Sequence, residues 1–198
     1  MAENLAFLPD VSGSWESSET TPHFYVYDYH GNNFIEAKNQ PNYQKYGVLY
    51  NWTAATTGAC PSGWHLPTDS EWRILEEYLA NNGHNYDGTI GFSDVFSAGE
   101  KIGKSLASAE GWERYDVEAS AVGSIDYPAY RNKSGFSALP GGFFSTGMYQ
   151  FIKRDGNWWT STVESFWAKM RNITFTNSEI STYNASKSDG LSVRCIKN

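Results

Sequence analysis

CPSGWHLPTDSEWRILEEYL, residues Cys60 to Leu79, is the stretch that decides the fold of this chain. It predicts a tight turn followed by a helix. Thr68 is a good N-cap, and Glu71 three residues later completes a capping box, in which each side chain accepts a hydrogen bond from the other residue's backbone amide. Asn81-Asn82-Gly83 is a good stop signal. We therefore expect the central helix to run from just after Thr68 to this stop.

The predicted helix has one apolar face. Trp72, Leu75 and Leu79 recur at i, i+3 and i+7, and Ile74 and Tyr78 flank them. A stripe with this spacing faces the core of a globular domain. The charged side chains expected to face solvent are Glu71, Arg73, Glu76 and Glu77.

The chain has two cysteines, Cys60 before this helix and Cys195 three residues from the C-terminus. If they pair, the bond ties the start of the central helix to the last strand and closes nearly the whole chain into one domain. A loop of that length would add roughly 4–5 kcal/mol of stability in the loop-entropy model. The two residues could equally be buried free thiols. No CxxC spacing exists, so a zinc site on these cysteines is not expected.

Composition bounds the class of protein. The 198 residues are enough for a single domain, residues 1–198, with a full hydrophobic core. The net charge is −7, and no basic stripe exists to bind phosphates, so nucleic acid is not an expected partner. No apolar run reaches membrane-spanning length. The 8 Trp, 13 Tyr and 11 Phe, with few charges, are typical of a loop-rich α+β domain whose aromatics are mostly core.

The first half of the chain predicts short elements around the central helix. Phe24–Tyr29 alternates aromatic and β-branched residues, which indicates a strand. Tyr46–Ala55 has one apolar face at helical spacing, which predicts a short helix ending at Thr57. Ser97 and Glu100 offer a weaker capping box before a second short helix.

The second half predicts strands. The strand segments are residues 141–144, 148–153, 158–162, 166–175 and 191–196. Hairpin turns are expected at Ser145–Gly147 and Asp155–Asn157. Residues 176–189 are almost wholly small and polar and are expected to form a loop. The sequence therefore predicts one α+β domain, with helices first and a twisted antiparallel sheet last.

Five motifs occur in a fixed order along the chain: YGVLYNWTAA, CPSGWHLPTDSEW, SGFSALPGGFF, WWTST and GLSVRCIKN. Together they resemble the Fibrobacter succinogenes major paralogous domain, and the likeness runs from Met1 to Asn198. That family is similar in turn to the C-type lectin-like and formylglycine-generating-enzyme-like folds. HLPTDSEW stands where the latter group shows an Arg-Leu-Pro-Thr-Glu-x-Glu-Trp run, and GLSVRC stands where it shows a closing Gly-Phe-Arg strand.

The resemblance implies a C-type lectin-like α+β fold, with two main helices packed on a twisted antiparallel sheet and long loops on one face. Cys60 and Cys195 stand where that fold would carry a structural bridge. Family members are commonly exported as surface or lipid-anchored proteins, so the resemblance implies an extracellular or cell-surface location. In the family MAENL usually follows a Trp in an N-terminal strand, so a first strand upstream of Met1 is expected.

No catalytic residue is predicted. The four histidines are dispersed along the chain, at His23, His30, His65 and His84. The chain has no GxSxG elbow, HExxH helix, GxGxxG loop or Walker loop. Formylglycine-generating enzymes need a closely placed reactive cysteine pair, which the positions of Cys60 and Cys195 do not fit, so we expect no enzymatic activity and no cofactor. The alternative, a divergent oxidoreductase related to those enzymes, requires a free thiol at Cys60.

No metal site is predicted either. Asp126, Asp155 and Asp189 could supply ligands for a hard cation together with backbone oxygens. A structural calcium is therefore compatible with the sequence, but nothing in their spacing demands it. Gln40-Pro41-Asn42 looks superficially like the calcium-binding tripeptide of sugar-binding C-type lectins, but it precedes both helices, the wrong place in that fold.

The segment from Phe166 to Asp189 is the predicted ligand-binding region. It carries no family motif and is rich in Ser, Thr, Asn and Tyr, which make adaptable hydrogen bonds and amphipathic contacts, as in antibody paratopes. The candidate ligand-binding residues are Trp167, Lys169, Arg171, Asn177, Glu179, Tyr183, Asn184 and Lys187. Related lectin-like proteins bear retroelement-diversified residues at this end of the domain. The alternative is a solvated loop without function.

The sequence and the resemblance together predict a non-enzymatic, lectin-like binding domain. It would be an adhesin-type receptor on a cell surface or at a phage or pilus tip, with a protein or a carbohydrate as its ligand. Retroelement diversification of the binding segment is part of that prediction. A purely structural surface module is the remaining alternative, and it predicts self-association and no soluble ligand.

Overall fold

The computed structural model describes residues 3–92 and 101–198. The α-helices of the described part are Phe34–Lys38 (α1), Pro41–Tyr46 (α2), Trp52–Thr56 (α3), Asp69–Asn81 (α4) and Gly103–Leu106 (α5). With 13 residues, α4 is by far the longest. A 3-10 turn at Pro128–Tyr130 lies between α5 and the strands that follow.

The strands of the described part are Phe24–Tyr25 (β1), Leu49–Tyr50 (β2), Trp64–His65 (β3), Phe143–Ser145 (β4), Met148–Gln150 (β5), Asp155–Glu164 (β6), Trp167–Thr174 (β7), Ser181–Ala185 (β8) and Ile196–Lys197 (β9). They pair antiparallel: β6, β7 and β8 form a three-stranded sheet, and β1–β2, β3–β9 and β4–β5 form two-stranded ribbons. The predicted α+β class with antiparallel sheets is confirmed.

The start of α4 follows the predicted capping box. The Thr68 hydroxyl accepts the Glu71 backbone N–H at 3.1 Å, and the Glu71 carboxylate accepts the Thr68 backbone N–H at 2.8 Å. The helix ends at Asn81, with Asn82 as its C-cap. These two backbone amides would otherwise lack partners at the helix start, so the box fixes where the helix begins.

The apolar face of α4 is also confirmed, with one correction. Trp72 and Leu79 are buried, whereas Ile74 and Tyr78 are exposed. Glu76 was expected to face solvent, but it is buried, with 8% of its surface exposed. The expectation was wrong because the sheet presents a cation, described below, that pairs with this carboxylate.

The two cysteines are joined in a disulfide. The Cα atoms of Cys60 and Cys195 lie 5.8 Å apart, and the bond spans 135 residues of sequence. Beside it, β3 pairs with β9, and the ring of His65 lies 2.6 Å from the side-chain oxygen of Asn198. The end of the chain is therefore tied to the segment that precedes α4, as the pairing hypothesis predicted.

The stretch Tyr46–Ala55 is not one helix. It contains the last residue of α2, all of β2 and most of α3. Gly47 breaks the helix with a positive φ of 77°, and a Cβ there would lie 2.7 Å from the Leu5 carbonyl oxygen. Asn51 then caps α3 by accepting the Ala54 N–H at 2.9 Å. The helical spacing of the apolar residues did not reveal these two interruptions.

Of the two predicted hairpin turns, only the first occurs at its expected place. Phe143–Ser145 and Met148–Gln150 pair across the turn at Thr146 and Gly147. Asp155–Asn157, expected to be the second turn, lie inside β6 and pair with β7. The chain reverses earlier, at Phe151 and Lys153, both of which have positive φ. The prediction was wrong because long-range pairing with β7 recruits a sequence that locally favours a turn.

The polar stretch 176–189 is not entirely a loop, because β8 lies within it. Tyr183 pairs with Met170 of β7, and Ser181 pairs with Asn172. As an edge strand β8 has mostly exposed residues, so its composition resembles that of a loop. Thr and Tyr are nonetheless good strand formers.

Two other predicted strands are shorter than expected. Of Phe24–Tyr29 only β1 is a strand, and the chain turns at Asp28, whose φ is 63°. Of 191–196 only Ile196 belongs to a strand, β9, although Leu191 and Cys195 are buried in one core cluster. The capping box predicted at Ser97–Glu100 lies outside the described residues.

The three-stranded sheet lies between two hydrophobic clusters. Trp159 packs with Tyr50 and Leu191 on one face, and Trp158 packs with Trp72 and Ile173 on the other. Both tryptophans are completely buried, since successive residues of a strand point to opposite faces. The sheet is thus packed on both faces, which gives a rigid support for the residues around it that remain exposed.

A candidate ligand-binding groove on the sheet

A groove of about 530 Å³ opens on one face of the three-stranded sheet, and we call it the sheet groove. Its walls come from β6, β7 and β8, from the β4–β5 hairpin and from the chain after β8. The residues that line it are Phe143, Phe151, Asp155, Asn157, Trp167, Met170, Asn172, Tyr183, Asn184, Ala185, Ser186, Asp189 and Leu191. The groove is thus assembled from segments that are far apart in sequence.

The strand register determines which side chains form the polar floor of the groove. Asn157 of β6 lies directly opposite Asn172 of β7, and Met170 lies opposite Tyr183 of β8. Directly opposed residues of antiparallel strands share a face, as do residues two apart on one strand. These four side chains therefore belong to the same face, the one that lines the groove.

Two buried amides form the floor. Asn157 and Asn172 are 3% and 9% exposed, and Asn172 Nδ2 donates to Asn157 Oδ1 at 2.8 Å. Asn157 Nδ2 donates in turn to the Gly142 carbonyl at 3.4 Å. Each amide group has two N–H donors and an oxygen with two lone pairs, so these bonds orient both side chains and leave hydrogen-bonding capacity on each.

Two carboxyl groups also line the groove. Burial raises the pKa of Asp155, and a hydrogen bond with Thr174 opposes the rise. Burial likewise raises the pKa of Asp189, against hydrogen bonds from Ser145 and from the backbone N–H of Ser186. Among the described residues that line the groove, none is basic. The groove is therefore acidic, with carboxyl groups that are largely removed from water.

Aromatic side chains form the rim. Phe143 and Phe151 stack with their centroids 5.8 Å apart. Phe151, Trp167 and Tyr183 remain 47%, 49% and 55% exposed. Large aromatic side chains that stay half exposed around a concave polar floor are typical of a binding surface.

The structure divides the eight candidate ligand-binding residues. Trp167, Tyr183 and Asn184 line the sheet groove. Asn177 lies in the turn before β8, where its side chain accepts the Glu179 backbone N–H at 3.1 Å. The Lys187 ammonium lies 5.1 Å from the centre of the Trp52 ring. Asn177, Glu179 and Lys187 do not line the groove.

Arg171 is part of the scaffold, which corrects its place among the candidates. Its guanidinium donates to Glu76 Oε1 at 2.6 Å and to Asp69 Oδ1 at 2.5 Å, and only 3% of the side chain is exposed. Lys169 on the same face lies 3.4 Å from Asp69. Both residues point to α4 because their positions on β7 have the opposite parity to Met170 and Asn172.

Sequence reasoning missed most of the groove floor. Asn157 was assigned to a turn, and Phe143 and Phe151 were treated only as strand residues. One signal was present: Asn172 follows Ala168 and Met170 in the alternating row that faces the core side of the sheet. A polar residue in an otherwise apolar row is a reason to expect a site, since buried amides need partners.

Neither a membrane helix nor a metal cluster occurs in the part of the chain that the structure describes. In residues 3–92 and 101–198, no helix has the length and apolar character needed to cross a bilayer. In the same residues no group of three or more His, Cys, Asp or Glu side chains is placed to hold a metal ion.

The model of the Fibrobacter succinogenes major domain matches residues 1–197. The chain belongs to this family. No curated protein and no solved structure matches it significantly. The family assignment agrees with the resemblance of the five motifs and names no ligand.

In this Fibrobacter succinogenes major domain the recognised motifs build the scaffold. Arg194 of GLSVRCIKN donates to Asn4 at 3.0 Å and to Ser137 at 2.8 Å, and its guanidinium lies 4.2 Å from the Phe136 ring centre. Burial lowers the pKa of this guanidinium to about 10. Thr68 and Glu71 of the second motif start α4. The sheet groove instead draws most of its lining from segments outside these motifs.

Proposed function

We propose that this chain is a non-enzymatic ligand-binding domain with a C-type lectin-like fold, and that the sheet groove is its ligand site. The observation that carries the proposal is the groove itself: half-exposed aromatic side chains surround a buried polar floor on a sheet packed from both faces. Ligand sites combine this concave shape with a few fixed polar groups.

Three features support the lectin-like fold. The helix α4 packs on the antiparallel sheet, with the Trp72 and Trp158 ring centres 6.3 Å apart. The N-terminal segment lies beside the C-terminal segment, since Leu5 N–H donates to the Val193 carbonyl at 2.8 Å. A long stretch between α5 and β4, residues 107–142, contains only a single turn of 3-10 helix among regular elements. This arrangement fits long loops supported by a compact sheet.

The disulfide supports a location outside the cytoplasm, because such bonds persist mainly in oxidising compartments. We therefore propose display on a cell surface or at a phage or pilus tip, as an adhesin-type receptor. Thr182, Tyr183 and Asn184 are exposed on the edge strand β8. Substitutions at such positions disturb the core little, which is compatible with diversification of this segment by a retroelement.

The disulfide also bears on the enzymatic alternative. A divergent oxidoreductase related to formylglycine-generating enzymes needs a free thiol at Cys60, and this sulfur is bonded to Cys195. Its chemistry would require the bond to open first. The binding proposal needs no such step.

The test compares two groove substitutions with a matched control. Trp167→Ala and Tyr183→Ala remove aromatic surface from the groove rim, whereas Tyr78→Ala removes a tyrosine of similar exposure, 62%, from α4. Binding is measured by pull-down from extracts and on a glycan array. We expect both groove variants to lose the wild-type signal and the Tyr78 variant to keep it.

The controls decide between the alternatives. All three variants are checked for native unfolding transitions, so that lost binding is not lost folding. If both groove variants bind like the wild type, the groove is not the site. Self-association without any soluble ligand would instead favour the structural surface module.

A further inference from the structure

We propose that the sheet groove binds a neutral, hydroxyl-rich ligand, a short stretch of glycan, through direct contacts with Asn157, Asn172 and the ring of Tyr183, and that no bound cation mediates the contact. This inference rests on the proposed function, because it takes the groove as the ligand site. It adds the chemical class of the ligand.

The size of the groove fits a small ligand or a short segment of a polymer. Its volume of about 530 Å³ lies within the range of ligand pockets, roughly 300–1,000 Å³. The floor lies below the aromatic rim, since Asn157 and Asn172 are nearly inaccessible while Tyr183 is 55% exposed. A ligand would therefore meet the rings first and the amides at its deepest point.

The charge of the groove disfavours an anionic ligand. Asp155 and Asp189 both line it, and the described lining contains no lysine or arginine. An acidic sugar, a phosphate or an acidic peptide would meet two like charges in a partly desolvated site, where Coulomb repulsion is strong. A hydroxyl group instead donates a favourable hydrogen bond to a carboxylate.

The amide pair fits hydroxyl groups in both of their roles. A sugar hydroxyl donates one hydrogen bond and accepts others, and the amides of Asn157 and Asn172 offer both donors and acceptors. Their mutual 2.8 Å bond and the adjacent β-ladder hold them in place before any ligand arrives. A site built in this way rejects analogues that lack the hydroxyl, because its buried polar groups would then lose their partners.

The aromatic rim fits the other side of a sugar ring. A pyranose has an apolar face of C–H groups, and the faces of aromatic side chains pack well on such surfaces. Tyr183 and Phe151 present half-exposed rings at the rim, next to the hydrogen-bonding floor. The groove thus offers apolar and polar contacts side by side, as an amphipathic ring requires.

An organic cation is the closest competitor, because aromatic rings and carboxylates both attract cations. Two observations favour the sugar. Asp189 already accepts the Ser186 backbone N–H, and a hydrogen bond with Thr174 engages Asp155, so both carboxyl groups are partly committed. The deepest groups are amides, whose N–H donors can pair with a hydroxyl oxygen but would stay unpaired against an ammonium ion, which has no acceptor.

Direct recognition by the amides requires no bound cation. In residues 3–92 and 101–198, no cluster of three or more acidic, histidine or cysteine side chains is placed to hold a metal ion. Calcium sites usually combine several carboxylates with amide and backbone oxygens, whereas the groove lining has two carboxyl groups, Asp155 and Asp189. The amides can bind hydroxyls without it.

The test begins with an array of neutral cello-, xylo-, manno- and chito-oligosaccharides beside sialylated and uronic-acid glycans. Neutral hits are then measured by calorimetry, with and without EDTA, at low and high salt, and against tetramethylammonium as a competitor. We expect binding to neutral probes only, unchanged by EDTA, salt or tetramethylammonium. Tyr183→Ser should weaken it at least about tenfold, Tyr183→Phe little, and Tyr78→Ser not at all.

Other outcomes overturn the inference in recognisable ways. Loss of binding in EDTA contradicts direct recognition, and competition by tetramethylammonium identifies a cation site. If no neutral glycan binds but a protein is captured and then lost in Trp167→Ala and Tyr183→Ala, the glycan inference is wrong and the proposed function stands. If no ligand of any class depends on these residues, both fail.

Discussion

On β7, Lys169 and Arg171 lie on the face that meets α4, whereas Met170 and Asn172 lie on the face that lines the sheet groove. Neighbouring residues of one strand thus have opposite roles. The cations on the first face neutralise acids of the helix, and the second face forms the buried floor of the groove. Between Lys169 and Asn172, a polar side chain can contact a ligand in the groove only when its parity places it on the groove face.

The helix face of β7 is stabilised by charge as well as by packing. Burial opposes ionisation of Asp69, but its hydrogen bond and ion pair with Arg171 prevail and lower its pKa. Burial raises the pKa of Glu76, although Arg171 lies 2.6 Å away and opposes the rise. Arg171 therefore keeps two acids of α4 at the sheet, and its removal leaves Glu76 buried without its partner.

The largest expected effect concerns the disulfide, which holds the start of α4 to the chain end. Replacing Cys60 and Cys195 together with serine opens a loop of 135 residues. We expect the free energy of unfolding to fall by about 5 kcal/mol, the loop-entropy value for a loop of this size. Urea denaturation measures it, and the wild type in reductant serves as the matched control.

A small loss of stability would show that the scaffold does not depend on the disulfide. If the free energy of unfolding of the double variant lies within about 1 kcal/mol of the wild-type value, the bond does not restrain the unfolded chain as the loop model assumes. The groove residues are unchanged in this variant. Its ligand affinity, measured where it is still folded, should therefore equal that of the wild type.

The next largest effect is expected from removing the ion pairs between β7 and α4. Arg171→Ala leaves the buried Glu76 carboxylate unpaired, and we expect a loss of about 3–5 kcal/mol, typical for removing one member of a buried ion pair. Lys169→Ala is the matched control on the same face; its side chain is 27% exposed, so it should cost only about 0–1 kcal/mol. Urea denaturation at neutral pH compares the two.

The stability deficit of Arg171→Ala, meaning its loss in free energy of unfolding relative to the wild type, should depend on pH, and this dependence sharpens the test. Without the cation, burial raises the pKa of Glu76 further, so the folded variant gains stability from a protonated carboxyl group. That gain is complete below the ordinary glutamate pKa and is lost as the pH rises through the folded value. The deficit should therefore shrink as the pH is lowered. A deficit independent of pH would show that Glu76 is not the group left unpaired.

The sequence predicts what is encoded locally. The start of α4 was correct because a capping box and an apolar stripe lie within a dozen residues of each other. The strand predicted over residues 166–175 was also correct, since β7 covers Trp167–Thr174. Both features depend on interactions between near neighbours in the chain, which a sequence displays directly.

The groove depends on pairings that the sequence does not display. Asn157 belongs to a segment with strong turn composition, and only its pairing with Asn172 makes it a strand residue on the floor. Alternation placed Arg171 and Asn172 on different faces but could not tell which face α4 would cover. Helix packing decided that question and excluded Arg171 from the candidates. Trp167 lines the groove although it has the same parity as Arg171.

A smaller effect is expected at the N-cap of α4. Thr68→Ala removes the hydroxyl that accepts the Glu71 backbone N–H, and we expect a loss of about 1 kcal/mol. Ser70→Ala, at an exposed position in the first turn, is the matched control and should change stability by less than about 0.5 kcal/mol. Equal losses in the two variants would contradict the capping role.

The smallest expected effect on stability lies on the open face. Tyr183→Thr replaces an exposed strand residue by another good strand former, so the free energy of unfolding should stay within about 0.5 kcal/mol of the wild type. Groove binding should nevertheless be lost, because the ring provides the contact with the ligand. A stability loss as large as that of Arg171→Ala would show that Tyr183 is packed into the scaffold. The two faces of β7 would then not differ in role. Unchanged stability together with lost binding would show that one face recognises a ligand and the other stabilises the fold.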